Sequence, residues 1–230
     1  TYAEDIKDFD LANCRLPPVQ LDIWGGFIFI NFDMDAPGLQ DSHGAILKQC
    51  DFLQMQKMRV ARTCIIEPAC NWKLIGENVW DIYHLGVVHA NTFAANFNPR
   101  DFDFHLMPKG AFYGNYRSNS VGTPEGKSLV GTIPWLDVDE GFAFATQIPP
   151  NFSIIARHDA IYSVISDPLG PEKCRFIVYT MFPEEWFTRP DFDKHADQYG
   201  DFIKIIFEED NDMLGSIQVG IRSDAYVPGP

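Results

Sequence analysis

The chain has 230 residues, of which 46% are hydrophobic and 14% aromatic, and this composition predicts a folded protein with an ample core. A formal net charge of -14, from 18 Lys and Arg against 32 Asp and Glu, argues against a nucleic-acid-binding surface and against binding to an anionic membrane. No apolar run approaches the roughly 20 residues that span a bilayer, and the five cysteines lack the spacing of a disulfide framework, so a cytoplasmic protein is expected.

The first predicted elements are extended. Residues 20–33 contain a run rich in β-branched and aromatic residues, and Gly25 and Gly26 indicate a bulge or turn before this run. A segment containing Pro37 and Gly38 follows, which predicts a domain boundary near residue 40.

A helix, a strand and a second helix are predicted next. Apolar residues recur at helical spacing between 46 and 55, with Ser42 as a candidate N-cap. Residues 59–68 indicate a strand that ends at Pro68, and residues 71–83 indicate an amphipathic helix.

The second half of the chain predicts more strands and one long helix. Residues 85–100 read as turn and loop, and no regular element is predicted with any clarity for 101–135. Strands are expected within 151–170 and 173–183, joined as antiparallel neighbours, and a long helix within 191–213. This order of elements favours an α+β domain with an antiparallel sheet and helices on one face.

The segment "NWKLIGENVWDIYHLGVVH", residues 71–89, places titratable groups inside an apolar, aromatic run. Titratable groups that are buried must be paired or bound to a metal. His84 and His89 lie five residues apart, which leaves them about 140° out of alignment on an ideal helix. Gly86 lies between them, so we expect the helix to end or distort there and let both imidazoles reach one point.

Two converging imidazoles and one carboxylate form the facial triad of a mononuclear iron(II) oxygenase, with open positions for dioxygen. The long helix offers four acidic residues at the end of its apolar face. Periodicity alone does not decide which of them turns inward; the candidates are Glu208, Glu209, Asp210 and Asp212.

Three stretches together resemble one known family. Residues 71–89 are similar to the mononuclear-iron motif of the large (α) subunits of Rieske non-heme iron, aromatic ring-hydroxylating oxygenases: Asn-Trp-Lys, Glu-Asn, then Asp-x-x-His-x-x-x-x-His. Residues 24–39 resemble the segment that leads from the Rieske domain into the catalytic domain, and residues 208–230 resemble the Glu-Asp and Gln-x-Gly region near the carboxyl end.

The resemblance implies a role for each matching residue. His84 and His89 would be iron ligands and Asp210 the carboxylate ligand. Asp81 would bridge to a histidine of a Rieske cluster in a neighbouring subunit, and Asn78 would be a polar residue near the iron. The same resemblance implies a helix-grip (START-related) fold and a homotrimer. It also implies hydroxylation of an aromatic or other small organic substrate with O2 and with electrons from a ferredoxin or reductase.

The chain departs from the family in one respect. A Rieske [2Fe-2S] cluster needs Cys-x-His and Cys-x-x-His, and no cysteine here is followed by His at either spacing. We therefore expect residues 1–40 to be the tail of a Rieske domain whose cluster part is missing from this chain. Residues 41–230 are expected to be the mononuclear iron catalytic domain, truncated at its carboxyl end.

Two other interpretations stay open from the sequence. A metal-free helix-grip module that carries a hydrophobic ligand needs only an apolar cavity, but it has no reason to place two imidazoles and a carboxylate at one point. A zinc-dependent hydrolase with the same triad would need a nearby general base and oxyanion donors, and the sequence singles out none.

Overall fold

A computed structural model describes residues 15–94 and 97–227 of the chain. The described residues form a two-stranded hairpin, a seven-stranded sheet and four α-helices, with short 3-10 turns between them. None of the helices among these residues is long and apolar enough to cross a membrane. In chain order the elements are β1 (Gln20–Trp24), β2 (Phe27–Asn31), α1 (Leu39–Gln49), β3 (Met58–Ile66), α2 (Lys73–Trp80), α3 (Leu85–Val88), β4 (Asp103–Leu106), β5 (Phe112–Arg117), β6 (Phe142–Ile148), β7 (Phe152–Arg157), β8 (Ile161–Gly170), β9 (Lys173–Pro183) and α4 (Phe192–Gly220).

The main sheet is antiparallel throughout and has the strand order β3-β9-β8-β7-β6-β5-β4. The prediction of an α+β domain built on an antiparallel sheet is confirmed. Strands β4, β5 and β6 were not predicted. β4 has only four residues, and β6 is buried at most positions on both faces, so neither shows the alternation that identifies a half-buried strand.

Helices α2, α3 and α4 lie on one face of this sheet. Phe207 of α4 packs on Phe176 of β9, and Trp80 of α2 packs on Phe112 of β5. The hairpin covers the opposite face, where Phe27 contacts Phe152. Aromatic packing on both faces therefore makes the sheet the central layer of the domain.

Two local expectations differ from the structure. The first helix begins at Leu39, with Gly38 at its N-cap, whereas Ser42 lies one turn inside it and donates its hydroxyl to the Gly38 carbonyl at 2.8 Å. Ser42 is therefore not the N-cap. The long helix is longer than expected and ends at Gly220, because its buried face continues through Leu214 and Gln218.

Candidate functional site

The helix that carries the first histidine is interrupted at Asp81. Helix α2 ends at Trp80, Asp81 is extended (φ -79°, ψ 94°), and the single turn of α3 follows with His84 and His89 at its two ends. The Asp81 carboxylate accepts a hydrogen bond from the Tyr83 N–H at 2.8 Å, a local bond that competes with helix continuation. The expectation of a break at Gly86 is wrong, because Gly86 lies within α3.

Helix α4 brings a carboxylate to the two imidazoles. The Nε2 atoms of His84 and His89 lie 3.8 and 3.3 Å from Oδ1 of Asp210, and all three side chains are buried. One ligand atom from each residue lies within 4.8 Å of the other two, so the group could bind a metal ion. Asp210 is more than 120 residues from His89 in the sequence, so only the packing of α4 creates this group.

Among the four acidic candidates, Asp210 is the buried one at 4% exposure. Glu208 forms a surface ion pair with Lys204 at 3.7 Å, and Asp212 is exposed. Oδ1 of Asp210 has no hydrogen-bond partner although it is inaccessible to solvent. A buried carboxylate oxygen without a partner is costly, and a metal ion bound by the three side chains would satisfy it.

Each imidazole is held through its other nitrogen. His84 Nδ1 donates to the backbone carbonyl of Asp81, and His89 Nδ1 donates to Oε2 of Glu209 at 2.7 Å. The Thr92 hydroxyl donates to the same Glu209 oxygen at 2.8 Å. With Nδ1 as donor, Nε2 keeps its lone pair on the side of Asp210, as a metal-binding histidine requires.

The two histidines have different proton affinities. Burial lowers the pKa of His84 below its ordinary value, and the neighbouring charge of Asp210 only partly opposes this. Burial also acts to lower the pKa of His89. The protonated imidazole, however, would donate from Nε2 to Asp210, and this bond, the bond to Glu209 and the two carboxylate charges outweigh burial and raise that pKa. His84 is thus readily neutral, whereas a metal has to compete with a proton at His89.

The three side chains open into a cavity of about 70 Å³ between α2, α3, α4 and strands β5 to β8. Its lining is mostly apolar, which is typical of a site for a small organic molecule. Tyr116 lines the cavity, while Tyr113 stacks on His105 and Trp135 donates to the Leu53 carbonyl. Apart from the two histidines and Asp210, the polar lining residues are Asn78, Tyr116, Arg157 and Tyr162.

Asn78 and Asp81 occupy different environments. Asn78 lines the cavity beside the histidines. The Asp81 side chain is exposed and borders a separate surface depression together with Trp72 and Trp80. Among the described residues, the Asp81 carboxylate forms no ion pair with Lys73 or Arg100. The backbone carbonyl of Asp81 accepts the hydrogen bond from His84 Nδ1 and is its link to the two histidines and Asp210.

Two functional candidates were not identified from the sequence. Glu209 was considered only as a possible ligand, whereas it is the hydrogen-bond partner of His89. Arg157 was not considered at all, although a single arginine at the end of the apolar run "NFSIIAR" is a signal that could have identified it. A charge in a strand that is buried on both faces requires a partner or a function.

The first and last sequence motifs meet in space. Gln218, the Gln of the Gln-x-Gly motif, is buried, and its Oε1 accepts a hydrogen bond from the Asn71 N–H at 2.7 Å. This bond ties the start of the histidine-bearing segment to α4 at a point six residues beyond Asp212, the last acidic candidate. It therefore helps to hold in register the two segments that carry the histidines and Asp210.

Comparison with known proteins agrees with this geometry. Residues 55–230 match the family described as ring hydroxylating alpha subunit (catalytic domain). The chain is 33% identical over 262 residues to the glycine betaine monooxygenase oxygenase subunit of Pseudomonas aeruginosa, covering 97% of this chain and 59% of that protein. It is 22% identical over 263 residues to the corresponding subunit of Chromohalobacter salexigens, covering 97% and 57%.

A solved structure of a quaternary ammonium Rieske monooxygenase superposes with a TM-score of 0.76 at 18% identity, over 97% of this chain and 58% of that one. This likeness confirms the expected helix-grip type of fold. The chain spans less than three-fifths of the length of these relatives. Since the family match covers most of the chain, the protein belongs to the ring-hydroxylating α-subunit family, and its residues 55–230 carry that family's catalytic domain.

Proposed function

We propose that this chain is the catalytic part of a Rieske-type oxygenase that hydroxylates a small organic substrate. The observation that carries the proposal is the buried group of His84, His89 and Asp210 at the end of an apolar cavity. Two imidazoles and one carboxylate are the donor set of mononuclear iron(II) oxygenases. Bound iron(II) would supply the activation of dioxygen, with electrons that reach it from a Rieske [2Fe-2S] cluster.

The side chains around the iron-binding group have separable tasks. The Asp81 carbonyl and the Glu209 carboxylate hold the two imidazoles with Nε2 toward Asp210. The apolar lining excludes water from the reacting atoms, and Asn78 supplies a polar group that orients a bound molecule. These residues therefore position a substrate against the iron-binding group rather than transform it themselves.

Electron supply is proposed to come through Asp81. Its carboxylate is exposed at a surface depression, while its backbone carbonyl is hydrogen-bonded to His84. A cluster histidine of a neighbouring subunit could reach that carboxylate from outside, so we propose a homotrimer in which each cluster serves the next subunit. A ferredoxin or reductase would reduce the cluster.

We also propose that residues 1–40 belong to the Rieske domain region and residues 41–230 to the catalytic domain. The outer face of the β1–β2 hairpin supports this division, because Leu21, Ile23, Ile28 and Ile30 are between 54% and 68% exposed. An apolar face of this kind is typical of a surface covered by another domain or subunit. Residues 1–14 of this region lie outside the described residues.

The relatives favour a substrate that is a small quaternary amine over an aromatic ring. The names of two relatives specify glycine betaine, and the superposed structure is that of a quaternary ammonium monooxygenase. Aromatic side chains that could surround a cationic group line the cavity, among them Phe93, Phe102 and Tyr116. A metal-free carrier of a hydrophobic ligand is disfavoured, because it gives no partner to the buried Oδ1 of Asp210.

The proposal is tested by metal analysis of protein prepared anaerobically with iron(II). About one iron per chain is expected in the parent, and loss of that iron is expected in His84→Ala, His89→Ala and Asp210→Ala. Asp212→Ala is the matched control, because Asp212 is an exposed acid two residues away on the same helix. A folded parent without metal would refute the proposal, and iron that survives Asp210→Ala would refute the carboxylate assignment.

A further inference from the structure

Arg157 places a positive charge in the wall of the cavity. It is the last residue of β7, is only 3% exposed and lines the same cavity as the metal-binding group. An arginine side chain stays protonated in proteins, so burial cannot be relieved by loss of the proton. A buried, permanently charged group requires a compensating partner.

Only some of the hydrogen-bond donors of this guanidinium have a partner in the protein. Nη1 of Arg157 donates to the Tyr116 hydroxyl at 2.7 Å, and the guanidinium carbon lies 5.2 and 5.1 Å from the ring centroids of Phe93 and Tyr116. Nε is buried and has no hydrogen-bond partner. Within the described part of the chain, no carboxylate lies within the 4.0 Å of the guanidinium that defines an ion pair.

The nearby acid Asp159 forms its hydrogen bonds with other residues through Oδ2, while its buried Oδ1 has no hydrogen-bond partner. Its Oδ2 accepts hydrogen bonds from the hydroxyls of Ser120 and Tyr199, and it lies 3.9 Å from Nε2 of His158. Asp159 is fully buried but does not line the cavity. It contributes negative charge nearby, yet it takes up none of the guanidinium hydrogens of Arg157.

The charge balance of the cavity points to a ligand. Asp210 is the only carboxylate among the described lining residues, and the proposed iron would use it. With a divalent metal bound, positive charge in the lining therefore exceeds negative charge. An anionic group on the bound molecule would correct this imbalance and would accept hydrogen bonds from the guanidinium.

We propose that Arg157 binds an anionic group of the substrate, a carboxylate in the simplest case, and so selects a small organic acid or zwitterion over a neutral or purely cationic molecule. This inference rests on the proposed function and specifies the substrate class of the same site. Phe93 lies between the two ends of the site, with its ring centroid 5.0 Å from that of His89 and 5.2 Å from the Arg157 guanidinium. One aromatic ring thus separates the cation from an iron-binding imidazole, a span that a small substrate can bridge.

The test uses matched probes that differ only in the acid group. Glycine betaine is compared with choline, and benzoate with benzyl alcohol, by anaerobic calorimetric titration of the intact, iron-loaded protein. We expect the acid of at least one pair to bind more tightly than its alcohol. Arg157→Gln should weaken the binding of that acid by about tenfold to hundredfold, because a hydrogen bond to a charged group is lost, and it should not weaken the binding of the alcohol.

Three further variants separate recognition from packing. Arg157→Lys keeps the charge and should retain part of the preference for the acid. Tyr116→Phe removes the hydroxyl that Nη1 contacts but leaves the cation, so it should keep the preference. Arg59→Gln is the control for total charge, because Arg59 is an exposed arginine paired with Glu184 at the surface.

The inference is overturned if acids and alcohols bind equally, if no acid binds, or if the acid binds Arg157→Gln as tightly as the parent. Metal-free protein is titrated in parallel. Acid binding that requires iron and survives Arg157→Gln would place the carboxylate on the metal and also overturn the inference. Iron content is measured separately, so absence of iron would refute the proposed function while the comparison of probes in metal-free protein still tests Arg157.

Discussion

Replacing Glu209 by Ala tests whether its hydrogen bond orients His89 for metal binding. The Glu209 carboxylate accepts hydrogen bonds from His89 Nδ1 at 2.7 Å and from Thr92 Oγ1 at 2.8 Å. Hydrogen-bond partners of metal-binding histidines typically contribute about 10- to 100-fold to metal affinity. Because the Glu209 side chain is 24% exposed, water can replace part of its role, and we expect a loss near the lower limit, about tenfold.

The assay is an anaerobic titration of iron(II) against a competing chelator, with circular dichroism to verify the fold. Glu208→Ala is the matched control, because Glu208 is the preceding residue on α4 and pairs only with Lys204 at the surface. It should bind iron like the parent. Parental affinity in Glu209→Ala, or an equal loss in both variants, would show that the carboxylate does not orient His89.

Three other outcomes are expected. Asp210→Asn should abolish iron binding. The metal-free variant should nevertheless unfold at the same or a higher temperature than the metal-free parent, because the substitution removes a buried charge whose Oδ1 has no partner. A clearly lower unfolding temperature would contradict this. Iron affinity should fall as the solution is acidified from about pH 8 to pH 6, since the raised pKa of His89 makes a proton compete with the metal for Nε2. Iron titrations that show no such fall would refute this reasoning. Phe176→Ala should lower the free energy of unfolding by about 3–5 kcal/mol in a denaturant titration, because Phe176 is 1% exposed and packs on Phe207. A loss below about 1 kcal/mol would mean that the sheet and α4 move together and fill the space left by the missing ring.

Local patterns in the sequence determined much of the fold. The helical spacing of apolar residues identified α4, and apolar runs bounded by turn residues identified β7, β8 and β9, because these patterns lie within single elements. The density of titratable groups within one apolar segment, residues 71–89, also marked the histidines for attention before any contact was known. These features are properties of short stretches, and they can be recognised without knowing which other segments pack against them.

What the sequence could not decide depends on contacts between distant segments. Periodicity leaves four acids near one end of α4, and only the packing of α4 against α3 shows that Asp210 meets the histidines while Glu209 supports His89. Arg157 lines the same cavity because β7 lies beneath both helices. No local sequence pattern predicts that these elements are neighbours. Burial, pairing and charge balance are set by whichever elements close over a side chain, and for that reason the site required the tertiary structure.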